Sequence, residues 1–456
     1  MYKAYVTRLK NLTRHPNADR LQIGECFGNS VVVSLEYTDN QLGIYFPTDG
    51  RLSTEFAEAN NLLRKKDDAG NNIGGYMDPL KRNVTAIRLR GEKSDGLFLP
   101  INSLESFGDI SELKEGDVVD IFNGHLICEK YIPHSDRRNS GVGGNRTRKH
   151  KVNIAPLFAE HADTEQLAYN LSAFKQGDEI EITLKMHGTS QRTGYLPVLK
   201  CYKKTLLDKL FRREGTPIYD WDYVSGTRRV VLDSFEGGYY GNNFFREKHS
   251  NFFEGKLNKG ETVYYEVVGF TTTGNPIMGS CSNKKLNDKE FVKQYGEETV
   301  FSYGCSPDSG LVLNPYGIDT AIETKPQSDI YVYRMTMTNE DGFVVEYTPD
   351  FMRYRCEQMG VKTVPVMWKG VIEGKRVECG KITPGDYIKN IAEGLYDGPD
   401  PIGKTHIREG VVVRILNRPK FTAYKHKNFS FKVLEGIVKL EATSPDMEEA
   451  QEIQEE

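Results

Sequence analysis

The chain lacks any Cys-x-x-Cys pair, and its seven cysteines (26, 128, 201, 281, 305, 356 and 379) are scattered and odd in number. That pattern argues against a disulfide scaffold or a zinc knuckle and fits a reducing compartment. No apolar run approaches the roughly 18 residues needed to span a membrane. The opening MYKAYVTRLKNL has no apolar core of the kind a secretory signal carries. The expectation is a cytoplasmic protein with no membrane partner. Charge of one sign is also missing: 60 Lys and Arg oppose 64 Asp and Glu, a net charge of −4. Taken as an average, that balance excludes a strongly basic nucleic-acid binder.

What is present is enough chain, 456 residues, for two or three domains with real cores. Hydrophobic residues at 38% and charged residues at 27% are ordinary for a folded soluble enzyme. The charge is segregated. The last twelve residues, PDMEEAQEIQEE, hold six acids and no base, and setting them aside takes the net charge from −4 to +2. Residues 441–456 therefore read as an acidic disordered tail. Within 134–151, Arg137, Arg138, Arg146, Arg148, Lys149 and Lys151 face one acid, Asp136. A second basic stretch holds Lys200, Lys203, Lys204, Lys209, Arg212 and Arg213. Clustered cations of this kind form a phosphate-binding footprint that the average conceals.

Residues 1–125 read as short strands separated by turn signals (KAYVTRLK, RLQIGEC, SVVVSLEY, NQLGIYFP, VTAIRLRG, LFLPI, DVVDIF), which favours a small barrel or sandwich. Residues 126–151 form a basic, glycine-rich linker. From 152 to 440 strand patterns alternate with helices, giving an α+β domain with largely antiparallel sheet and an insertion around 340–405. Strands are expected over EIEITLK, ETVYYEVVGF, DIYVYRMTM, REGVVVRIL and FKVLEGIVKL. Helices are expected over 163–174 and 348–360, the second opening on Thr348 as N-cap and Pro349 at the first helical position.

GPDPIGKT (398–405) matches the phosphate-cradling G-x-x-x-x-G-K-[ST] pattern. That loop works only between a strand and a helix, whose N-terminus supplies donors. Here a strand pattern follows, and two prolines remove N–H groups, so the segment is expected to be a loop leading into a strand. A sharper signal is KMHGTS at 185–190. Ile180, Ile182 and Leu184 share one face of EIEITLK, so Lys185 ends a strand on its polar face and His187-Gly188 begins a turn. Glu266 lies among aromatic and β-branched residues, where a carboxylate needs a cation, a metal or a ligand hydroxyl. Glu409 opens a strand. Lys425 and Lys427 point to one face if their segment is extended, and two ammoniums so placed call for an anion between them. Arg228 and Arg229 offer forked donors suited to phosphate. Together these residues point to a nucleotide phosphate site with a metal ion.

Lys-x-His-Gly at 185–188, Glu266, Glu409-Gly410 and Lys425-x-Lys427 stand in the order of motifs I, III, IV and V of the covalent nucleotidyltransferases. His187, where DNA ligases and mRNA capping enzymes usually have Asp, resembles the RNA ligase 2 branch. The nearest resemblance is to the Deinococcus-type RNA ligase, with an OB-like domain ahead of the ligase domain. ICEKYIP (127–133) resembles that group, and RHPNADRLQIGEC and RLRGEKSDGLFLP are similar to OB domains of the tRNA-binding type. Two positions depart from the pattern: Tyr265 precedes Glu266 where Gly is usual, and Tyr333-Arg334 stands where Phe-Asp is usual. Few residues follow Lys427 before the acidic tail, which fits no OB domain after motif V and so favours an RNA ligase over a DNA ligase or capping enzyme.

The resemblance implies an OB-like β-barrel followed by an adenylyltransferase domain of antiparallel sheets flanked by helices. It implies an ATP-dependent RNA ligase that joins 3′-hydroxyl and 5′-phosphate ends in nick repair, through a lysyl-AMP and an AMP-capped RNA. Lys185 would be the nucleophile, with His187, Lys425 and Lys427 at the phosphates and Glu266 on the ribose or metal. Tyr333 or Tyr331 would stack on adenine, Arg228 and Arg229 would grip RNA, and Glu409 would bind Mg2+ or Mn2+. ATP and RNA, as a nicked duplex or broken ends, are the expected partners, and no protein partner is expected. Arg192 reads as a surface residue. The alternative classes are an RNA-binding OB protein with a degenerate ligase domain, and a DNA ligase or capping enzyme.

Overall fold

In the computed structural model, residues 2–440 are described except 71, 132–152, 163, 212–214, 233, 238–239, 308–324 and 374–381. The basic stretch at 134–151, Arg212, Arg213 and the acidic tail thus lie outside the described residues. The chain divides into two compact units: Met1–Pro133 with Cys281–Glu298 and Asn428–Glu441, and His134–Ser280 with Thr299–Lys427 and the remaining C-terminal residues.

In the first unit, every expected strand forms, but the strands pair into separate small antiparallel sheets. Tyr5–Arg8, Leu42–Phe46 and Leu97–Pro100 make one, and Lys10–Arg14, Leu21–Cys26 and Asn29–Ser34 another. No closed barrel forms among the described residues, so the barrel expectation is corrected to open sheets. The core against the first of these holds Ala4, Val6, Ile44, Phe46, Leu52 and Phe56, all fully buried. The expected strand at 431–440 is instead the helix Phe429–Leu440. Asn428 accepts a hydrogen bond from the Phe431 N–H and so caps its first turn. Within this unit Lys432 reaches Asp95 at 2.6 Å. Arg88 and Lys93 stand 5.7 and 5.4 Å from the centroid of the Phe429 ring.

The second unit is built on two sheets. A five-stranded sheet runs in the order Glu165–Gln166, Thr422–Lys427, Gly410–Ile415, Glu179–Lys185, Val366–Val371. Only its first pairing is parallel. Ile180, Ile182, Val411, Val413 and Ile415 bury one face against Ile388 and Ala392 of helix Pro384–Leu395. The opposite, polar face is partly covered, because Arg353 of helix Pro349–Met359 pairs with the buried Glu181 at 2.8 Å. That helix opens as expected, with the Thr348 hydroxyl accepting from Phe351 N–H. The helix expected over 163–174 is not formed. Glu165–Gln166 pairs at the sheet edge, two short 3-10 turns follow, and the Asn170 side chain donates to the Gln166 carbonyl. Edge pairing and this side-chain bond take the backbone partners that an α-helix would have used.

The second sheet is antiparallel throughout, in the order Val231–Leu232, Thr216–Gly226, Thr189–Lys203, Glu261–Gly269, Ser328–Thr338, Val344–Glu346. Residues 186–188 join the two sheets directly. As expected, 398–405 is a loop leading into a strand, with no helix after it.

Candidate functional site

Lys185 ends its strand opposite Gly410, and Gly410 is opposite Lys427 on the next strand. This register brings three motif segments to one edge. The focus is Glu409, whose side chain is 2% exposed. Its Oε1 lies 2.7 Å from Lys185 Nζ and 3.4 Å from Lys427 Nζ, and its Oε2 lies 3.5 Å from His187 Nδ1. Burial would push the Glu409 carboxyl up, but Lys185 and Lys427, with His187, outweigh it and hold the group well below the ordinary carboxylate range. Oε2 is buried and makes no hydrogen bond.

Two glycines make this convergence possible. A Cβ at Gly410 (φ 154°) would lie 2.1 Å from the His426 carbonyl oxygen, and one at Gly188 would lie 2.4 Å from that of Val267. The motif glycines therefore mark places where two backbones close on each other. The His187 N–H donates to Tyr303 Oη at 2.7 Å, and the His187 ring meets Phe301 edge-on at 4.6 Å. Tyr303 is raised well above the ordinary phenol range by burial and by the carboxylates of Asp400, Glu409 and Glu266, so it stays a neutral phenol.

The second sheet presents the other predicted residues. Ser190, Glu266 and Tyr331 are direct cross-strand neighbours. Register jumps from Tyr264–Arg334 to Tyr265–Val332, which leaves Tyr333 as the extra residue of a bulge. Its hydroxyl is 2.8 Å from Ser190 Oγ, and its ring is half-buried, whereas Tyr331 is only 6% exposed. His161 contacts the Tyr333 ring at 5.0 Å. Burial, then the charges of Arg334, Arg228, Arg192 and Arg414, push the His161 pKa well below its ordinary value and keep the ring neutral.

The sequence reading of Arg192 is wrong. Arg192 is 1% exposed and donates to the carbonyls of Thr227, Phe158 and Arg229 at 3.0, 2.7 and 3.0 Å. It fixes the segment carrying Arg228 and Arg229 from below. Arg228 is half-buried and Arg229 exposed. Lys425 shares a strand face with Lys427 but is opposite Val412, not Gly410. Tyr303 and His161 were missed because they belong to no motif and reach the site only through the fold, while Arg334 and Asp400 stand inside quoted strings but were given no role. Ser190, inside the KMHGTS string, could have been found.

Three buried groups set an acid limit on stability. His161 and His249 are held below 6.5, His249 at about 4 by burial and then Lys248. The unfolded chain takes up these protons near pH 6.5 and the folded chain does not, so stability falls as pH drops below 6.5. Glu409 adds a loss only below its ordinary 4.5, because its folded value is depressed. His249 alone should account for about 2 kcal/mol between pH 7.5 and 5. Thermal unfolding at pH 7.5 and 5.0 checks this, and in His249→Gln the slope should be shallower. An unchanged slope would refute the assignment.

No metal-ligand cluster of three or more His, Cys, Asp or Glu side chains occurs among the described residues. No helix among them is long and apolar enough to cross a membrane. No protein-family profile matches the chain, and no curated protein matches it. Solved structures do. A lysine-to-methionine mutant of Naegleria gruberi RNA ligase with AMP and manganese aligns at 15% identity and TM-score 0.53, covering 94% of this chain and 97% of that one. The same ligase with pyrophosphate aligns at 16% identity and TM-score 0.53, with the same coverage. A lysine-to-alanine mutant with ATP and manganese gives 16% identity and TM-score 0.52, covering 94% and 97%. At this identity the likeness concerns architecture: the chain has the mixed α+β, largely antiparallel fold of Naegleria gruberi RNA ligase.

Proposed function

We propose that the protein is an ATP-dependent RNA ligase. The observation that carries this reading is the convergence of Lys185, His187 and Lys427 on the buried carboxylate of Glu409, in a chain whose fold matches an RNA ligase solved with ATP, AMP and pyrophosphate. The Lys185 amine attacks the α-phosphorus of ATP, a P–N bond forms, and the P–O bond to pyrophosphate breaks. The AMP then passes to an RNA 5′-phosphate, and a 3′-hydroxyl displaces it to seal the strand. Lys425 and Lys427 neutralise charge developing on the phosphate oxygens, and His187 positions them. Tyr333, the more accessible of the two tyrosines, stacks on adenine, while Glu266 takes the ribose. Arg228 and Arg229 hold RNA phosphate.

The donor set fits a hard divalent ion. Glu409 Oε2 is a buried carboxylate oxygen without a hydrogen bond, and an ion of this class can be held by one or two carboxylates with water and the ATP phosphates. Glu409 would hold Mg2+ or Mn2+, with Glu266 a second candidate, and the ion would supply Lewis-acid stabilisation of phosphate charge. On this reading the open antiparallel sheets of the N-terminal unit serve as an RNA-binding module.

Nicked duplexes with all-RNA, RNA–DNA and all-DNA strands distinguish the readings. Sealing that requires RNA at the 3′-hydroxyl side is expected. Equal sealing of all-DNA nicks would make it a DNA ligase, and labelling by GTP in place of ATP a capping enzyme. Salt-sensitive RNA binding without ATP–pyrophosphate exchange would mark a degenerate binding protein.

A further inference from the structure

Two long paired strands of the second sheet, Thr189–Lys203 and Thr216–Gly226, run on as a hairpin. One hairpin face is ordinary core: Leu196, Val198 and Val224 cluster with Ala155 and Phe158. The register puts Tyr195 opposite Tyr223, Pro197 opposite Trp221, Leu199 opposite Tyr219 and Tyr202 opposite Pro217, all on the other face. No charged residue lies on that face of the paired strands. Tyr195 and Tyr223 are stacked, with centroids 4.7 Å apart and planes at 17°, and Trp221 is 5.8 Å from Tyr195. Tyr219 is 41% exposed. Large aromatic rings left accessible in a row, with core on the opposite face, need a reason beyond folding.

Alternate residues on a strand are about 6.8 Å apart, so Tyr219, Trp221 and Tyr223 offer successive stacking faces at a spacing that an extended nucleic-acid strand can match. The surroundings are cationic. Exposed Lys259 has its Nζ 5.2 Å from the Trp221 centroid, and exposed Lys256 lies over Phe252 at 3.2 Å. Lys203 and Lys204 are exposed where the first strand ends, while Lys200 is paired with Asp222 on the opposite face. Aromatic rings with adjacent cations and no acid on the same face suit unpaired bases joined by phosphates better than a protein surface.

We propose that this hairpin face is a stacking platform for single-stranded RNA, engaging an unpaired stretch beside the ends to be joined. The choice of RNA rests on the ligase reading above, while the platform itself rests on the hairpin. The chain has two tryptophans, so Trp368→Phe leaves Trp221 as the only one and its fluorescence as a local reporter. Titrating that full-length variant with a single-stranded RNA of about twelve nucleotides should quench Trp221 saturably. Tyr219→Ala should weaken binding roughly ten-fold, and Tyr219→Phe should restore it. Transfer of label from α-labelled ATP to Lys185 should be unchanged in these variants. No quench, an equal quench by a duplex of the same sequence, or unaltered affinity in Tyr219→Ala would each overturn the platform. Quenching in a protein that never accepts the ATP label would keep the platform and overturn the ligase reading.

Discussion

Lys185→Ala should reduce transfer of label from α-labelled ATP to the protein to background while leaving the fold intact. The nucleophile forms the bond that retains the label, and no neighbouring group replaces it: His187 and Lys427 are arranged around Glu409 to handle charge. Losing a covalent nucleophile costs several orders of magnitude in rate, far more than losing a positioning contact. The fold should survive because Lys185 ends its strand and its side chain is 24% exposed, whereas Ile180 and Ile182 of the same strand carry the core. Circular dichroism and the melting temperature verify that point. Undiminished labelling of a folded Lys185→Ala protein would remove Lys185 from the mechanism. An amine attacks with a lone pair, and in the present geometry Lys185 is ion-paired with Glu409. On the proposed reading, release from that pair accompanies ATP binding, so labelling should require the divalent ion.

Glu409→Ala should impair both chemistry and stability, which sets it apart from Lys185→Ala. Removing a buried carboxylate leaves Lys185 and Lys427 facing each other without the charge that joins them, at a cost of roughly 3 kcal/mol. Adenylylation should fall at least about a hundred-fold, because the same oxygens are the best-placed divalent-ion ligand. Urea unfolding reads the first effect and the labelling assay the second. Glu409→Gln keeps the shape and one carbonyl oxygen, so it should recover part of the stability and little of the activity. A Glu409→Ala protein as stable and as readily labelled as the parent would refute both roles.

The residues that sequence reasoning found are those whose constraint is local. Lys185 was placed by alternation along EIEITLK, and its neighbours Ile180, Ile182 and Leu184 are buried as that pattern requires. Glu409 and the Lys425–Lys427 pair were legible because a carboxylate opening a strand and two like charges at two-residue spacing need outside partners. Tyr303 was not legible. It meets His187 across 116 residues, and nothing around it marks a phenol as structural or functional. Arg192 was misread for a related reason: its three acceptors are backbone carbonyls, which every residue carries and no side-chain pattern reveals. Residues 431–440 read as a strand from the aromatic and β-branched Phe431, Val433, Ile437 and Val438, and the capping Asn428 is a signal against that reading.

The patchwork make-up of the first compact unit has a consequence for how the chain matures. Its parts come from three separated stretches, Met1–Pro133, Cys281–Glu298 and Asn428–Glu441. On the ribosome, the N-terminal sheets emerge long before the helix that supplies Lys432 to Asp95, 337 positions later. Until that helix arrives, Asp95 and the face beneath Phe429 have no cover from it, so this unit finishes assembling only once residues 428–440 have been made. Closing so long a loop is slow and leaves time for misassembly. A chain cut short before residue 428 would thus damage the opening third of the protein, which the missing residues never adjoin in sequence.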